Sequence, residues 1–243
     1  MERTLWVGTS GWSYDHWHGV LYPHGLPVTD RLGCYLQRYP TVEVNSTFYR
    51  WPPDITFVRW FQRLPEHFQM TVKAPRGLTH SARLYQPERW LARIEPGLRA
   101  LGRKRGVFLV QLAPQFEYDY ARLAYFLRRL PPWLKTAVEL RHPSWNRDDI
   151  FALLEETGAA YCVMSGAGLP CLLRVTAPFA YVRLHGPDTN SLYSGSYSDD
   201  DLRWWADRIR EWQGMGKEVF AYFNNDGEGN AVRNADTLAA FLR

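Results

Sequence analysis

Lysine is scarce in this chain. Of its 29 basic residues, 25 are arginine and 4 are lysine. An excess of this kind reflects coding bias in a genome more readily than function, and no run of basic residues reads as a nucleic-acid tail. Cysteine is scarcer still. Cys34, Cys162 and Cys171 are odd in number, widely spaced and form no CxxC pair, which excludes a disulfide framework and a zinc ribbon and suits a reducing compartment. No apolar stretch approaches the ~20 residues that span a bilayer. The opening MERTLWVGTS lacks the charged lead, apolar stretch and cleavage site of a signal peptide. A cytoplasmic protein with no membrane partner is the expectation. P-loop, GxGxxG and GxSxG signatures are all missing, which argues against Walker, Rossmann and nucleophile-elbow chemistry. No internal repeat, low-complexity stretch or linker breaks the 243 residues, so residues 1–243 are expected to form a single domain.

What is present is apolar and aromatic. Apolar residues make up 46% of the chain, enough for a sizeable core, and 11 tryptophans stand out. Most of these serve packing, although a pocket that stacks flat ligands is the sharper reading of such an excess. The net charge of +4 favours anionic partners through steering.

Patterning predicts eight strands that alternate with helices. The strands fall at Leu5 to Ser10, Thr41 to Asn45, Phe68 to Pro75, Gly106 to Leu112, Thr136 to Arg141, Ala159 to Met164, Phe179 to His185 and Glu218 to Asn224. Helices are expected at Thr29 to Tyr39, Asp54 to Leu64, Glu88 to Leu101, Asp119 to Leu130, Asp148 to Thr157 and Ala231 to Leu242. Ser198 and Asp201 form a capping box that opens another. Such alternation argues for parallel βαβ units, and about eight of them in this length argue for an α/β fold, a single (β/α)8 TIM-type barrel. A doubly wound open sheet is the rival, but its strands are covered by apolar layers on both faces.

Ala159 to Met164 has no polar face, but most of the other strands here are not apolar on both faces. In FAYVRLHG, Ala180, Val182 and Leu184 share one face, while Tyr181, Arg183 and His185 share the other. The same alternation puts Glu43 and Asn45, Lys73, Gln111, Glu139 and Arg141, and Tyr222 and Asn224 near the C-terminal ends of their strands. Barrel enzymes carry catalytic groups at that end. Barrel interiors also hold purely structural ion pairs, but six strands contributing at once points to a shared purpose, because a buried charge costs several kcal/mol unless paired.

Lys73, Arg141 and Arg183 supply three positive charges that Glu43 and Glu139 offset only in part. Guanidinium forks suit carboxylate and phosphate oxygens. An anionic small-molecule substrate is therefore expected, a nucleotide or nucleic-acid fragment being among the candidates. Glu139, His185 and Glu43 are the candidate catalytic groups, moving protons. Lys73, Arg141, Arg183, Asn45, Tyr222 and Asn224 are candidate substrate contacts. His80 and His142, in loops on the same side, could join them, and Trp12, Tyr49 and Trp145 would stack on a flat or sugar part. No cofactor is expected. A divalent metal on Glu43, Glu139, His142 and His185 is disfavoured by the nearby cations. Two rivals stand beside an anion-directed hydrolase or lyase: a glycosidase that uses the two carboxylates, and a binding module for nucleic acid or an anionic metabolite that does no chemistry.

The blocks GTSGWSYDHWHGVLYP, VEVNSTFYRWP, VKAPRGLTH, VELRHPSW, YVRLHG and AYFNND, in this order, resemble the YecE-like family, a domain of unknown function. The resemblance runs from about Trp6 to the C-terminus and implies a TIM barrel. Its motifs take in Trp12, Glu43, Asn45, Thr47, Tyr49, Lys73, His80, Glu139, Arg141, His142, Trp145, Arg183, His185, Gly186, Tyr222, Asn224 and Asn225. It implies no particular reaction.

Overall fold

The computed structural model describes residues 4–243. Among the described residues there are eight strands: β1 (Leu5–Thr9), β2 (Thr41–Val44), β3 (Gln69–Lys73), β4 (Arg105–Gln111), β5 (Thr136–Glu139), β6 (Ala160–Ser165), β7 (Phe179–Leu184) and β8 (Glu218–Phe223). They run parallel in the order β1-β8-β7-β6-β5-β4-β3-β2. A further parallel bridge, Ser10 to Glu43, returns β1 to β2. That order, with helices between strands, is a (β/α)8 barrel.

The helices are α1 (Arg31–Leu36), α2 (Ser46–Tyr49), α3 (Asp54–Arg63), α4 (Pro87–Ala100), α5 (Tyr120–Arg129), α6 (Asp148–Thr157), α7 (Asp199–Gly214) and α8 (Asn230–Phe241). Local chemistry sets their ends. Asp119 accepts from the Arg122 amide at the start of α5. Ser198 and Asp201 close a reciprocal capping box on α7, as their spacing predicts. Gly158, at φ +67°, ends α6. The predicted helix over Thr29 to Tyr39 is shorter than its pattern, a 3-10 turn Val28–Asp30 leading into α1. Several short elements escape periodicity altogether, among them α2 and a π-helical turn at Gly77–Ser81. Neither is long enough to show a repeat.

Contacts divide the chain into two compact units, and the division runs through β2 and β6. The first holds residues 4–43, 163–173 and 178–243. Here β1 and β7 flank β8 in register, Gly8 beside Tyr222 and Arg183 beside Tyr222. A Cβ on Gly8 would lie 2.4 Å from the Thr41 carbonyl oxygen, so only glycine lets the backbones meet this closely. Val182, Leu184, Val219, Ala221, Leu238 and Ile209 are among its buried apolar residues. The second unit holds residues 44–162 and 174–177. Its core draws on Val72, Phe108, Val110, Val138, Leu123 and Leu154. Each such side chain contributes ~1.5–3 kcal/mol on burial.

Candidate functional site

In the first unit the polar alternation of β7 closes on Glu43 of β2. The Glu43 carboxylate accepts from four donors: Ser10 Oγ at 2.7 Å, Arg183 Nη2 at 2.7 Å, Arg183 Nε at 3.0 Å and Tyr181 Oη at 2.5 Å. Glu43 and Arg183 are both fully buried. The pair is a fork on a carboxylate whose remaining lone pairs are taken by hydroxyls, the arrangement in which a buried ion pair is sustainable. Arg183, expected to hold an anion, therefore already grips one.

His185 follows β7 and is fully buried. Its backbone N–H donates to Ser165 O at 2.7 Å, and its carbonyl accepts from the Tyr193 amide at 2.6 Å. The Asn224 side-chain amide donates to Nδ1 at 3.1 Å. With Nδ1 accepting, the imidazole proton sits on Nε2. Tyr222 is also fully buried, its hydroxyl 2.7 Å from Thr41 Oγ1. The Trp12 carbonyl accepts from the Tyr22 hydroxyl.

The second unit gathers the other candidates. Gln111 and Glu139 are register partners on β4 and β5, which puts the Gln111 amide 2.6 Å from Glu139 Oε1. Arg141 Nε donates to the same oxygen at 2.5 Å, and Cys162 Sγ lies 3.9 Å from Oε2. Lys73, at the end of β3, sets its ammonium 4.5 Å from the centre of the Phe48 ring, a cation–π contact. His80 stands edge-on to the same ring at 4.9 Å, and its Nδ1 is 2.9 Å from Thr79 Oγ1. The π-helical turn carries it there, and α2 carries Phe48. Burial pushes the His80 imidazole down to about 4, helped by Lys73, Arg76 and Arg141; Glu139 opposes. Asn45 is half-buried, and its Oδ1 has no hydrogen-bond partner among the described residues.

The remaining candidates of this unit sit differently. Tyr49 is 80% exposed, its ring meeting Phe48 edge-to-face at 5.2 Å. His142 caps the 3-10 turn Pro143–Trp145, its Nδ1 accepting from the Ser144 amide at 3.3 Å. Trp145 is fully buried; it packs edge-on against Phe116 and donates its indole N–H to the Phe116 carbonyl at 2.5 Å. It presents no stacking face to solvent and braces the loop that carries His142.

Several members of these clusters were not singled out from the sequence. Tyr181 shares the polar face of FAYVRLHG with Arg183, so period two alone could have marked it. Asp226 and His16 form a further pair in the first unit. His16 Nε2 lies 2.9 Å from Asp226 Oδ2, and Trp17 donates its indole N–H to Asp226 Oδ1 at 2.6 Å. Burial raises the Asp226 carboxyl to about 6, while His16 and Trp17 pull the other way. Asp226 ends the AYFNND block, which was the available signal. Among the described residues, no three or more His, Cys, Asp or Glu side chains converge as a metal site would. No helix there is long and apolar enough to cross a membrane.

The family profile described as "Protein of unknown function DUF72" matches residues 6–243. The chain belongs to the DUF72 family. It is 26% identical over 271 residues to the UPF0759 protein YunF of Bacillus subtilis (strain 168), covering 98% of this chain and 94% of that one. It is similar to the crystal structure of a DUF72 family protein from Thermotoga maritima, with a TM-score of 0.85, 28% identity and 99% of both chains covered. A DUF72 family protein from Enterococcus faecalis shares the fold, with a TM-score of 0.82 at 21% identity over 98% of this chain and 95% of that one.

Proposed function

We propose that this DUF72 protein, YecE-like in its motifs, is a cytoplasmic enzyme acting on a phosphorylated or otherwise anionic substrate. The observation that carries this reading is His80. Its half-buried ring is held neutral by burial and by three neighbouring cations, with Glu139 alone opposing. An anion entering beside Lys73, Arg76 and Arg141 would relieve that excess. Lys73, His80 and Arg141 are the assigned anion contacts, and Asn45 Oδ1 is an acceptor for a substrate hydroxyl or amine. Glu139, held in place by Gln111 and Arg141, is assigned the proton transfer. Glu43 and Arg183 are assigned a structural role in the first unit, because the Arg183 fork is already committed to the Glu43 carboxylate. In the first unit, His185, oriented by Asn224, is a separate candidate proton carrier. The three free cysteines suit the reducing compartment.

Thermal-shift titrations with inorganic phosphate, AMP, glucose 6-phosphate and neutral oligosaccharides test it. A ligand at about a hundred times its Kd stabilises by roughly 2.7 kcal/mol. Anions should raise the Tm, and Arg141→Ala should abolish the rise. Glu139→Gln should keep the shift but lose turnover of the best ligand. A shift from neutral oligosaccharides alone would favour the glycosidase reading. Binding without turnover in the wild type would favour a binding module.

A further inference from the structure

Arginines that look scattered along the sequence are not evenly shared by the fold. The second unit carries 19 basic and 11 acidic side chains, a net charge of +8, while the first sums to −4 over the whole sequence. Most of the excess on α5 is answered locally: Arg122 pairs with Asp119, Arg128 with Glu156 and Arg129 with Glu88. On α4 the situation differs. Glu88 faces Tyr125 and Arg129, and Glu95 faces Arg99. Arg89 and Arg93, one turn apart, have no carboxylate partner among the described residues.

These two arginines flank a cavity of about 400 Å³, lined also by Ala82, Tyr85, Gln86 and Trp90. Tyr85 is 62% exposed; the Arg122 guanidinium lies 5.9 Å from its ring centre, on one side of a ring otherwise open to solvent. Trp90 is seated firmly: a Cβ on Gly77 would lie 2.1 Å from its ring. The Arg93 guanidinium lies 6.0 Å from the Trp90 ring centre. The turn before the helix holds Arg83, Leu84 and Gln86 at positive φ (47°, 64° and 46°). Those conformations are costly for non-glycine residues, and here they present Arg83 and Tyr85 at the surface.

We propose that this pocket, apart from the barrel-end candidates, binds single-stranded nucleic acid, a base stacking on Tyr85 with Arg89 and Arg93 on the flanking phosphates. The chemistry fits on both counts. Unpaired guanidinium groups on one helix face attract a phosphate backbone. An exposed ring beside them takes the flat face of an unstacked base without regard to sequence. A duplex keeps its bases stacked on each other and would use only the charges.

Fluorescence anisotropy with a fluorescein-labelled oligo(dT) of ~12 nucleotides, within the usual site sizes for such strands, tests the proposal. The wild type should bind with a strongly salt-dependent Kd. The Arg89→Ala/Arg93→Ala double variant should weaken binding at low salt and flatten the log–log salt slope by about 1.4, two phosphates at ~0.7 each. Arg89→Lys/Arg93→Lys, which keeps the charge, should retain most of the affinity. Tyr85→Ala should cost ten-fold or so with the slope unchanged. Arg141→Ala should leave this binding intact, which separates it from the barrel-end site. Wild-type affinity in the double alanine variant overturns the proposal. So does displacement by polyglutamate as readily as by unlabelled oligo(dT), with Tyr85→Ala silent, since the face would then be a plain docking surface for acidic chains. Saturation by dTMP at concentrations no higher than those of the oligonucleotide would reassign the pocket to a free nucleotide.

Discussion

Arg183 holds Glu43 through two atoms at once, Nε at 3.0 Å and Nη2 at 2.7 Å, and water reaches neither residue. A fork this deep is held by mutual need, since each charge would be costly alone. Arg183→Ala or Glu43→Ala should each lower the unfolding free energy by about 3–5 kcal/mol. Arg183→Ala combined with Glu43→Ala should cost clearly less than the sum of the single changes. Urea unfolding of the four proteins measures the coupling. Additive losses would mean that the fork is not what sustains the two charges.

Two groups should bend the stability curve in opposite directions as pH changes. His80 titrates at about 4 in the folded chain, against an ordinary 6.5. The unfolded chain therefore takes up its proton first, and stability falls as pH drops from about 6.5 to 4. Asp226 titrates at about 6, against an ordinary 3.8. There the folded chain binds the proton more tightly, so stability falls as pH rises from about 3.8 to 6. In the wild type the slopes oppose each other. His80→Asn should remove the first and leave a curve that falls with pH over that range. Asp226→Asn should remove the second and leave one that rises. Parallel curves from the two variants would contradict both assignments.

The strand pattern is legible because most strands are covered differently on their two faces, while β6, apolar up to Ser165, reads as a short apolar run. Asp148 to Thr157 was placed to the residue, and most other boundaries to within a residue or two. The ends α2 and Gly77–Ser81 were not, because one turn carries no period. Chemistry was legible as residue type but not as pairing. Period two put Glu43 and Arg183 on polar faces, yet only the pairing of their strands' neighbourhoods shows that they consume each other. Trp145 read as a stacking ring, because the sequence holds no sign that Phe116, 29 positions away, would receive its N–H. Charge distribution was illegible for a similar reason: arginines spaced along residues 44–162 become one unit's surplus only when the chain folds.

Gly186 occupies a corner that no other residue should tolerate. Its φ is +107°, and a Cβ there would meet the Ser194 carbonyl oxygen at 2.0 Å. Its amide donates to the Tyr197 hydroxyl at 3.0 Å, and the adjoining His185 carbonyl holds the Tyr193 amide. Gly186→Ala should therefore cost well over the ~1 kcal/mol of a simple conformational misfit. Gly25 provides the control, with φ +78° and nothing within 4 Å of a Cβ. Gly25→Ala should show the conformational cost alone. Equal drops in Tm for the two variants would mean that the loop after β7 yields to accommodate the methyl group.

The neighbours of His80 can be separated by sign. Burial is the largest cause of its low pKa, followed by Lys73, Arg76 and then Arg141, all acting downward, while Glu139 acts upward. Lys73→Met removes a cation and should raise the His80 pKa from about 4, without restoring 6.5 because burial remains. Glu139→Gln removes the opposing anion and should lower it further. Inorganic phosphate bound among the cations should raise it in the wild type, and raise it less in Arg141→Ala. NMR titration of the imidazole follows all four cases in folded protein. A shift with Lys73→Met but none with phosphate would leave the cations as structural neighbours of the ring, and the anion site would have to lie elsewhere. A shift with both would tie the charge that disfavours the imidazolium to the charge that receives the ligand.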